Sequence, residues 1–384
     1  MNRQFIYFFA IFMPLYGIIN YYVGLRFRQV LGIFIPSLPR IYYWPLFTVI
    51  AMSYLGGAGA RRFFPETLST GLLLVGSYWL AVLQYAFFVF LLFDLIRLLD
   101  RWSGFLPQSV KQNPAITAVA ALSLIAAIVI YGYWNARSPQ FTHYDVTVHK
   151  PAGGLKQLHV LMVPDIHLSK IVHNGRLARL VQMINEKEPD LILLPGDIIE
   201  ETNVFQEQKM GDTLRQLKAR FGVYAVPGNH EYYGGPPGDI FALLQEAGVT
   251  VLLDSYVQVD DNFTIVGRDD RAAARFTGQS RQALSAIMED VDKSLPIILM
   301  DHQPYNLQEG QANGVDLQVS GHTHQGQVFP LNFVTKRIFE IDWGHLQKGE
   351  TNIIVSTGFG TWGPPIRIGN TPEVVDIVIH FNHP

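Results

Sequence analysis

The chain has no cysteine, which excludes a disulfide framework and any thiolate metal ligand. Charge is nearly missing from its first third. Of 29 basic and 32 acidic residues, only nine and three precede Asn135. None of the 12 histidines occurs before residue 140, and there is no internal repeat or low-complexity tract. The remaining 20 basic and 29 acidic residues leave the C-terminal part net acidic. Such a surface repels a polyphosphate backbone, so sequence-independent nucleic-acid binding is not expected.

Apolar residues fill the charge-poor part. Four stretches, 5–24, 41–60, 72–96 and 115–134, approach or exceed the length that crosses about 30 Å of hydrocarbon. Tyr and Trp stand near several of their ends, as at a membrane interface. Pro14 and Pro45 lie inside the first two, which transmembrane helices tolerate. The runs are too long and too many for a signal peptide, and too poor in charge for a soluble bundle. The expectation is a four-helix transmembrane region over 1–136, a linker and first strand over 137–157, and a second domain over 158–384. An even number of spans puts both chain ends on one side. Arg26, Arg28, Arg40, Arg97, Arg101 and Lys111 would then face Arg3, Arg61, Arg62, Arg137 and the α-amine. That excess favours cytoplasmic loops and an extracytoplasmic domain. Asp94 and Asp100 read as interfacial, with Asp94 as a functional intramembrane acid the alternative. The spans otherwise hold almost no polar pairs, which argues against a transport path.

From Gln140 the pattern is globular. LHVLMVP runs into Asp165 and His167, DLILLPG into Asp197, GVYAVPG into Asn229 and His230, PIILMD into His302, and VDLQVSG into His322 and His324. Short apolar runs between turn residues predict buried strands. Ligand sites gather at the carboxyl ends of strands, so one edge of one sheet is expected to carry this cluster. Further strands are expected over 141–149, 262–267, 352–356 and 374–381. Helices are expected from Asn174, burying Leu177, Leu180, Val181 and Ile184, and over 204–220 and 239–247. Together these make an α/β (α+β) two-sheet sandwich with helices outside it.

The residues at the run ends are metal ligands by type. On an extended end, side chains at i and i+2 point the same way, so Asp165 and His167 can grip one ion, as can His322 and His324. Asp197, on a tight turn after Gly196, can bridge two ions. Asn229 offers a neutral oxygen and His302 a ring nitrogen. Mixed nitrogen and oxygen ligation suits Mn²⁺, Fe or Zn²⁺ better than Ca²⁺ or Cu⁺.

The blocks DIH, GD, GNHE, a separate His and GHTH, in that order, resemble the calcineurin-like metallophosphoesterase superfamily from Leu158 to the end. The closing stretch STGFGTWGPPIRIGNTPEV resembles its bacterial membrane-associated branch. The resemblance implies that Asp165, His167 and His324 hold a first divalent metal ion and Asn229, His302 and His322 a second, with Asp197 bridging. It implies that His230 binds no metal, contacts the phosphate and protonates the leaving oxygen. Glu200, where the family often has Asp, and Pro164, where it often has Ser, depart from the pattern without removing a ligand.

The expected function is hydrolysis of a phosphoester, a phosphodiester favoured, by metal-activated hydroxide attack on phosphorus. It is placed at the bilayer of a bacterial inner membrane on a lipid or lipid-linked substrate. A soluble nucleotide or sugar phosphate, or a non-catalytic metal-binding sensor or scaffold, is the alternative. Arg268, Arg271, Arg275 and Arg367 offer bidentate phosphate contacts, although a solvated loop is the plainer reading. Phe359, Trp362 and Pro364 read as core, or as the lining of an apolar substrate channel or a surface resting on the bilayer. His143, His149, His159, His173, His345, His380 and His383 lack a partner at ligand spacing and read as structural or surface residues.

Overall fold

A computed structural model describes residues 3–59, 65–233 and 237–382. The chain divides into two compact units, 1–134 with 363–366, and 135–362 with 367–384.

The first unit is helical: α1 Arg3–Phe34, α2 Arg40–Gly59, α3 Glu66–Ser103, α4 Gln108–Gln112 and α5 Pro114–Asn135. All four apolar stretches are therefore helices over their described residues. Among the described residues two of them, α3 over Thr67–Ser103 and α5, are long and apolar enough to cross a membrane. Tyr42, Tyr43, Trp44 and Pro45 dilute α2. Arg61, Arg62 and the end of the second stretch lie outside the described residues. One polar cluster corrects the expectation that the spans carry almost none. Arg26 Nη2 pairs with Asp94 Oδ2 at 2.6 Å, and Tyr22 donates to the same oxygen. Asp94 is thus a paired group between α1 and α3. Asp100 pairs with Lys111 at 2.9 Å.

The second unit has twelve described strands: β1 Gln140–Val148, β2 Gln157–Met162, β3 Leu191–Pro195, β4 Val223–Val226, β5 Thr250–Val251, β6 Ser255–Val259, β7 Phe263–Gly267, β8 Ile297–Met300, β9 Leu317–Ser320, β10 Gly344–Lys348, β11 Thr351–Val355 and β12 Glu373–Phe381. They form two six-stranded mixed sheets, ordered β1-β12-β2-β3-β4-β5 and β10-β11-β9-β8-β7-β6. In the first, β12 runs antiparallel to β2 while β2, β3, β4 and β5 are parallel. In the second, β7, β8, β9 and β11 are parallel and β6 and β10 antiparallel edges.

The sheets face each other over one apolar core. Leu158, Val160, Met162, Leu191 and Leu193 pack with Phe263, Ile265, Met300, Leu317 and Val319. The outer face of the first sheet is covered by helices, among them α6 Asn174–Asn185, which buries Leu177, Leu180, Val181 and Ile184 as its spacing requires. Its cap is His173, whose Nδ1 accepts the Gly175 N–H. Asn174 Oδ1 instead accepts from the Thr213 hydroxyl at 2.7 Å. The helix expected over 204–220 is two short ones, Thr202–Glu207 and Met210–Leu214, because Lys209 between them is left-handed at φ 52°.

One expectation about the sheets is overturned. The five apolar runs are all strands, but β2, β3 and β4 belong to one sheet and β8 and β9 to the other. The cluster of polar run ends sits where the carboxyl ends of two sheets meet. A single sequence run carries no information on which of two facing layers it joins.

Candidate metal centre

Five parallel strands stop at a turn, and within three residues a candidate ligand follows: Asp165 after β2, Asp197 after β3, Asn229 after β4, His302 after β8 and His322 after β9. The local geometry is not the extended end expected from the i, i+2 spacing. Asp165, His167, Asp197, His322 and His324 have φ of 54°, 53°, 53°, 71° and 46°. This left-handed region costs a residue with a side chain of order 1–3 kcal/mol. Backbone hydrogen bonds between neighbouring turns hold it: Asp165 N–H to Gly196 O at 3.0 Å, His167 N–H to Asp197 O at 2.9 Å, and Gly321 N–H to His302 O at 3.0 Å.

Two glycines make room for the carboxylates. A Cβ on Gly228 would lie 2.2 Å from Asp197 Oδ1, and one on Gly321 would lie 2.3 Å from Asp165 Oδ2. Only hydrogen fits where the turns touch these side chains.

The structure brings the predicted side chains together. Asp165, His167 and His324 place their ligand atoms within 4.8 Å of one another, as do Asp197, His302 and His322. His324 Nε2 is 3.4 Å from Asp165 Oδ1 and 3.1 Å from His167 Nε2. Asp197 Oδ2 is 3.2 Å from His302 Nε2 and 3.8 Å from His167 Nε2, which puts it between the two groups. Asn229 Oδ1 and His302 Nε2 are buried with no hydrogen-bond partner, as ligand atoms facing a cation site would be. His302 Nδ1 donates to Pro195 O at 2.8 Å, so Nε2 is the nitrogen that faces the centre and would ligate once its own proton is displaced. This donor set fits two hard or borderline divalent ions. His230 also falls in a group with His167 and Asp197, so distance alone does not separate it from the ligands.

Burial dominates the electrostatics. It pushes His167 down to about 4 and His322 down to about 3, and it holds His324 well below the usual imidazole value, with Arg367 adding to the effect. Burial and then the Asp197 charge, against the nearby His302, push Asp165 up to about 7. For His302, burial is outweighed by the carboxylates of Asp197 and Asp165, and its pKa stands well above the ordinary value. His230 likewise overcomes burial through Asp197 and Glu200 and rises to about 9. Glu200, whose place in the block is the family's usual Asp, faces the centre: its two oxygens lie 3.6 Å from His230 Nδ1 and 3.7 Å from His167 Nδ1.

A cavity of about 490 Å³ opens over the centre. Asp197, Asn229, His230, His322 and His324 form its floor, and Leu331, Val334, Ile338, Phe339 and Trp362 form an apolar wall. Of the aromatics singled out in the closing stretch, Phe359 is core and Trp362 lines this cavity, 47% exposed.

Two arginines are neither solvated nor free to meet substrate at this centre. Arg367 is fully buried; its guanidinium donates to Gly358 O and Gly360 O and lies 3.1 Å from His324 Nδ1. Arg268 is buried and paired with Asp301 and Glu309. Arg275 is exposed, but on a short helix, Ala273–Thr277, and not in the loop expected. Sequence reasoning quoted the GNHE block but gave Glu231 no role. It is fully buried, and its carboxylate accepts the N–H groups of Asp197, Ile198, Ile199 and Gly228. An acid at the end of a buried block was the available signal. The remaining histidines act locally: His159 and His143 on Asp376, His380 on Asp145, His345 on Asn352, and His173 as the cap. His149 is exposed, and His383 lies outside the described residues.

The calcineurin-like phosphoesterase family model matches residues 158–326. Over 374 residues the chain is 30% identical to a Danio rerio protein named transmembrane protein with metallophosphoesterase domain, covering 90% of this chain and 82% of that one. It is 27% identical over 378 residues to an uncharacterized metallophosphoesterase of Campylobacter jejuni, covering 97% of each chain. Among solved structures, a dimetal phosphatase from Danio rerio overlays 54% of this chain and 88% of its own at 13% identity and a TM-score of 0.34, too loose a fit to weigh. With its five blocks in order and relatives along nearly its whole length, the chain belongs to the calcineurin-like phosphoesterases and is a metal-dependent phosphoester hydrolase.

Proposed function

We propose that this protein is a membrane-anchored dinuclear-metal phosphohydrolase acting on a lipid or lipid-linked phosphoester, a phosphodiester favoured. The observation that carries the substrate class is the wall of the cavity. A site for a soluble sugar or nucleotide phosphate calls for polar groups around the scissile ester. Here Leu331, Val334, Ile338, Phe339 and Trp362 flank the floor, and the uncharged Tyr233, Tyr305, Thr323 and Thr335 are the polar residues beside them. Phe333, 62% exposed, and Ile338, 56% exposed, belong to the same short helix, Asn332–Ile338. An apolar leaving group gains by burying against such a wall at about 25 cal/mol per Å².

In this reading Asp165, His167 and His324 hold one ion, Asn229, His302 and His322 the other, and Asp197 both. Mn²⁺, Fe or Zn²⁺ suits the donors. Bound ions of this kind supply Lewis-acid charge on the phosphoryl oxygens and a nucleophile at neutral pH. The chain supplies the rest. His230, its proton held by Asp197 and Glu200, stands at the cavity floor to pass that proton to the leaving oxygen. Trp362 and Phe339 offer apolar surface to the ester beside that floor.

The membrane part of the reading rests on α3 and α5 and on the transmembrane relative. It extends to four spans with α1 and α2. The excess of basic residues in the two loops favours a catalytic domain on the extracytoplasmic side of a bacterial inner membrane.

The test is turnover by the purified full-length protein with Mn²⁺ on lipid phosphoesters and on matched soluble esters, beside Asp197→Ala. Preference for the lipid esters, lost in the variant, is the expected result. Equal turnover of soluble esters would remove the lipid assignment. Metal binding without turnover of any ester would point to a sensor.

A further inference from the structure

A second cavity of about 380 Å³ lies elsewhere in the same unit, lined by Arg268, Arg271 and Arg281 with Gln282, Asn306 and Glu309 among others. Three guanidinium groups there meet one lining carboxylate. Arg268 is 4% exposed; it donates to Glu309 at 2.8 Å and to the Gln282 carbonyl at 3.1 Å, and it reaches Asp301 at 3.4 Å. Arg281 takes the other Asp301 oxygen at 2.9 Å and also donates to the Asp269 carbonyl. Those two acids are thereby committed to two arginines.

Arg271 is left over. Among the described residues it makes no ion pair, and its guanidinium lies 5.2 Å from the ring centre of Tyr305. The Nε atoms of both Arg268 and Arg271 are buried without a hydrogen-bond partner. A buried N–H donor of a cation left unpaired is costly, and buried charges are as a rule matched. Burial, and after it the charge of Arg281, lowers the Arg271 pKa, against the opposing pull of Asp301 and Glu309.

We propose that this cavity is a second anion site that takes a phosphate group. Guanidinium donors match tetrahedral oxyanions bidentately, and the first negative charge of a phosphate would neutralise the surplus of one positive charge left by three arginines and two acids. Gln282 and Asn306 add neutral side-chain amide groups at the rim. The two cavities share no lining residue, but one contact connects them. Asp301 precedes His302, and Tyr305, which carries Arg271 on its ring, lines the cavity over the metal centre. The phosphate has two sources: free inorganic phosphate, or a second phosphate on the molecule whose first phosphate the metal centre hydrolyses. The site stands on its own geometry, whatever ester that centre takes.

Crystals of the metal-loaded wild-type protein soaked in selenate, read by anomalous scattering at the selenium edge, should give a peak among Arg268, Arg271 and Arg281. Its absence there overturns the site without recourse to any variant. Arg271→Met should weaken phosphate binding at that site roughly tenfold or more, with thermal melting used to show that the variant is folded. Undiminished binding by a folded variant overturns it as well. Kinetics separate the sources. If KM rises for a bisphosphorylated ester and not for the matching monophosphorylated one, the phosphate is the substrate's own. If neither KM moves while the selenate peak is lost, it is free phosphate.

Discussion

Glu231 holds Asp197 in place through the backbone: Oε2 accepts the Asp197 N–H at 2.9 Å, and the same carboxylate takes the next two N–H groups of that turn and the N–H of Gly228. One buried acid thus closes the β3 and β4 turns onto each other. Asp197, left-handed and central to both candidate ion groups, depends on that closure.

Glu231→Ala leaves four buried N–H groups unpaired. The expected loss of folding stability is about 3–5 kcal/mol, read as a shift in the denaturant midpoint. Glu231→Gln keeps the shape but loses the charge and part of the acceptor capacity, and should fall between. A variant as stable as wild type would show that the turn holds itself.

Gly228→Ala tests the close approach. The added methyl would sit 2.2 Å from Asp197 Oδ1, so the carboxylate must move. Hydrolysis of an aryl phosphodiester should drop by more than about 100-fold, beyond the usual effect of disturbing a group outside the ligands. Stability should fall by about 1–3 kcal/mol. Activity within a few-fold of wild type would mean that Asp197 need not occupy its observed position.

Metal affinity should depend on pH with a definite sign. In the metal-free protein the Asp165 carboxyl, pushed up to about 7 by burial and the Asp197 charge, keeps its proton below that value, and His302 is held protonated. A cation must displace both protons. Affinity for Mn²⁺ or Zn²⁺ should therefore weaken as pH falls below about 7 and strengthen above it. Calorimetry in two buffers of different ionisation enthalpy should show proton release. Chelation should abolish hydrolysis, and added metal restore it. Binding that ignores pH between about 6 and 8 would contradict this account.

Asp376 gives a stability signature away from the centre. It bonds His159 at 3.0 Å and Lys187 at 3.2 Å. Burial opposes the charge, but these partners outweigh it and the pKa is lowered. A carboxyl with a depressed folded pKa contributes stability above its unfolded pKa and loses it as pH falls through the folded one. Asp376→Asn should cost about 1 kcal/mol near neutral pH, and the gap from wild type should close in acid. A gap that persists at low pH would assign the effect to packing.

Much of the unit that carries the centre was legible. Leu191–Pro195 and Leu317–Ser320 are apolar runs bounded by Gly, and both are strands. The helix from Asn174 buries the four residues its spacing selects. All seven candidate ligands converge. What failed to show was conformation and partnership. Lys209 breaks a helix whose pattern looks continuous, because a left-handed residue leaves hydrophobic spacing intact. Arg367 and Arg268 looked like loop cations, yet both are buried and bonded, because a charge in a turn-rich segment says nothing about the carbonyls or carboxylates that meet it. Arg26 and Asp94 are 68 residues apart in sequence and touch, a pairing that no local pattern encodes.

The order of residue types determined the chemistry: nitrogen and oxygen donors without sulfur, each placed just past an apolar run, on a chain whose first third carries almost no charge. These follow from side-chain identity and period, which are local. The tertiary structure decided that two sheets rather than one supply the donors. It set five of them in left-handed backbone, Asp165 and Asp197 against glycines, tied the turns together through Glu231, and left Arg271 with no ion pair among the described residues. Those are facts about neighbours distant in the chain, and they exist only once the two apolar layers have closed on each other and excluded water between them.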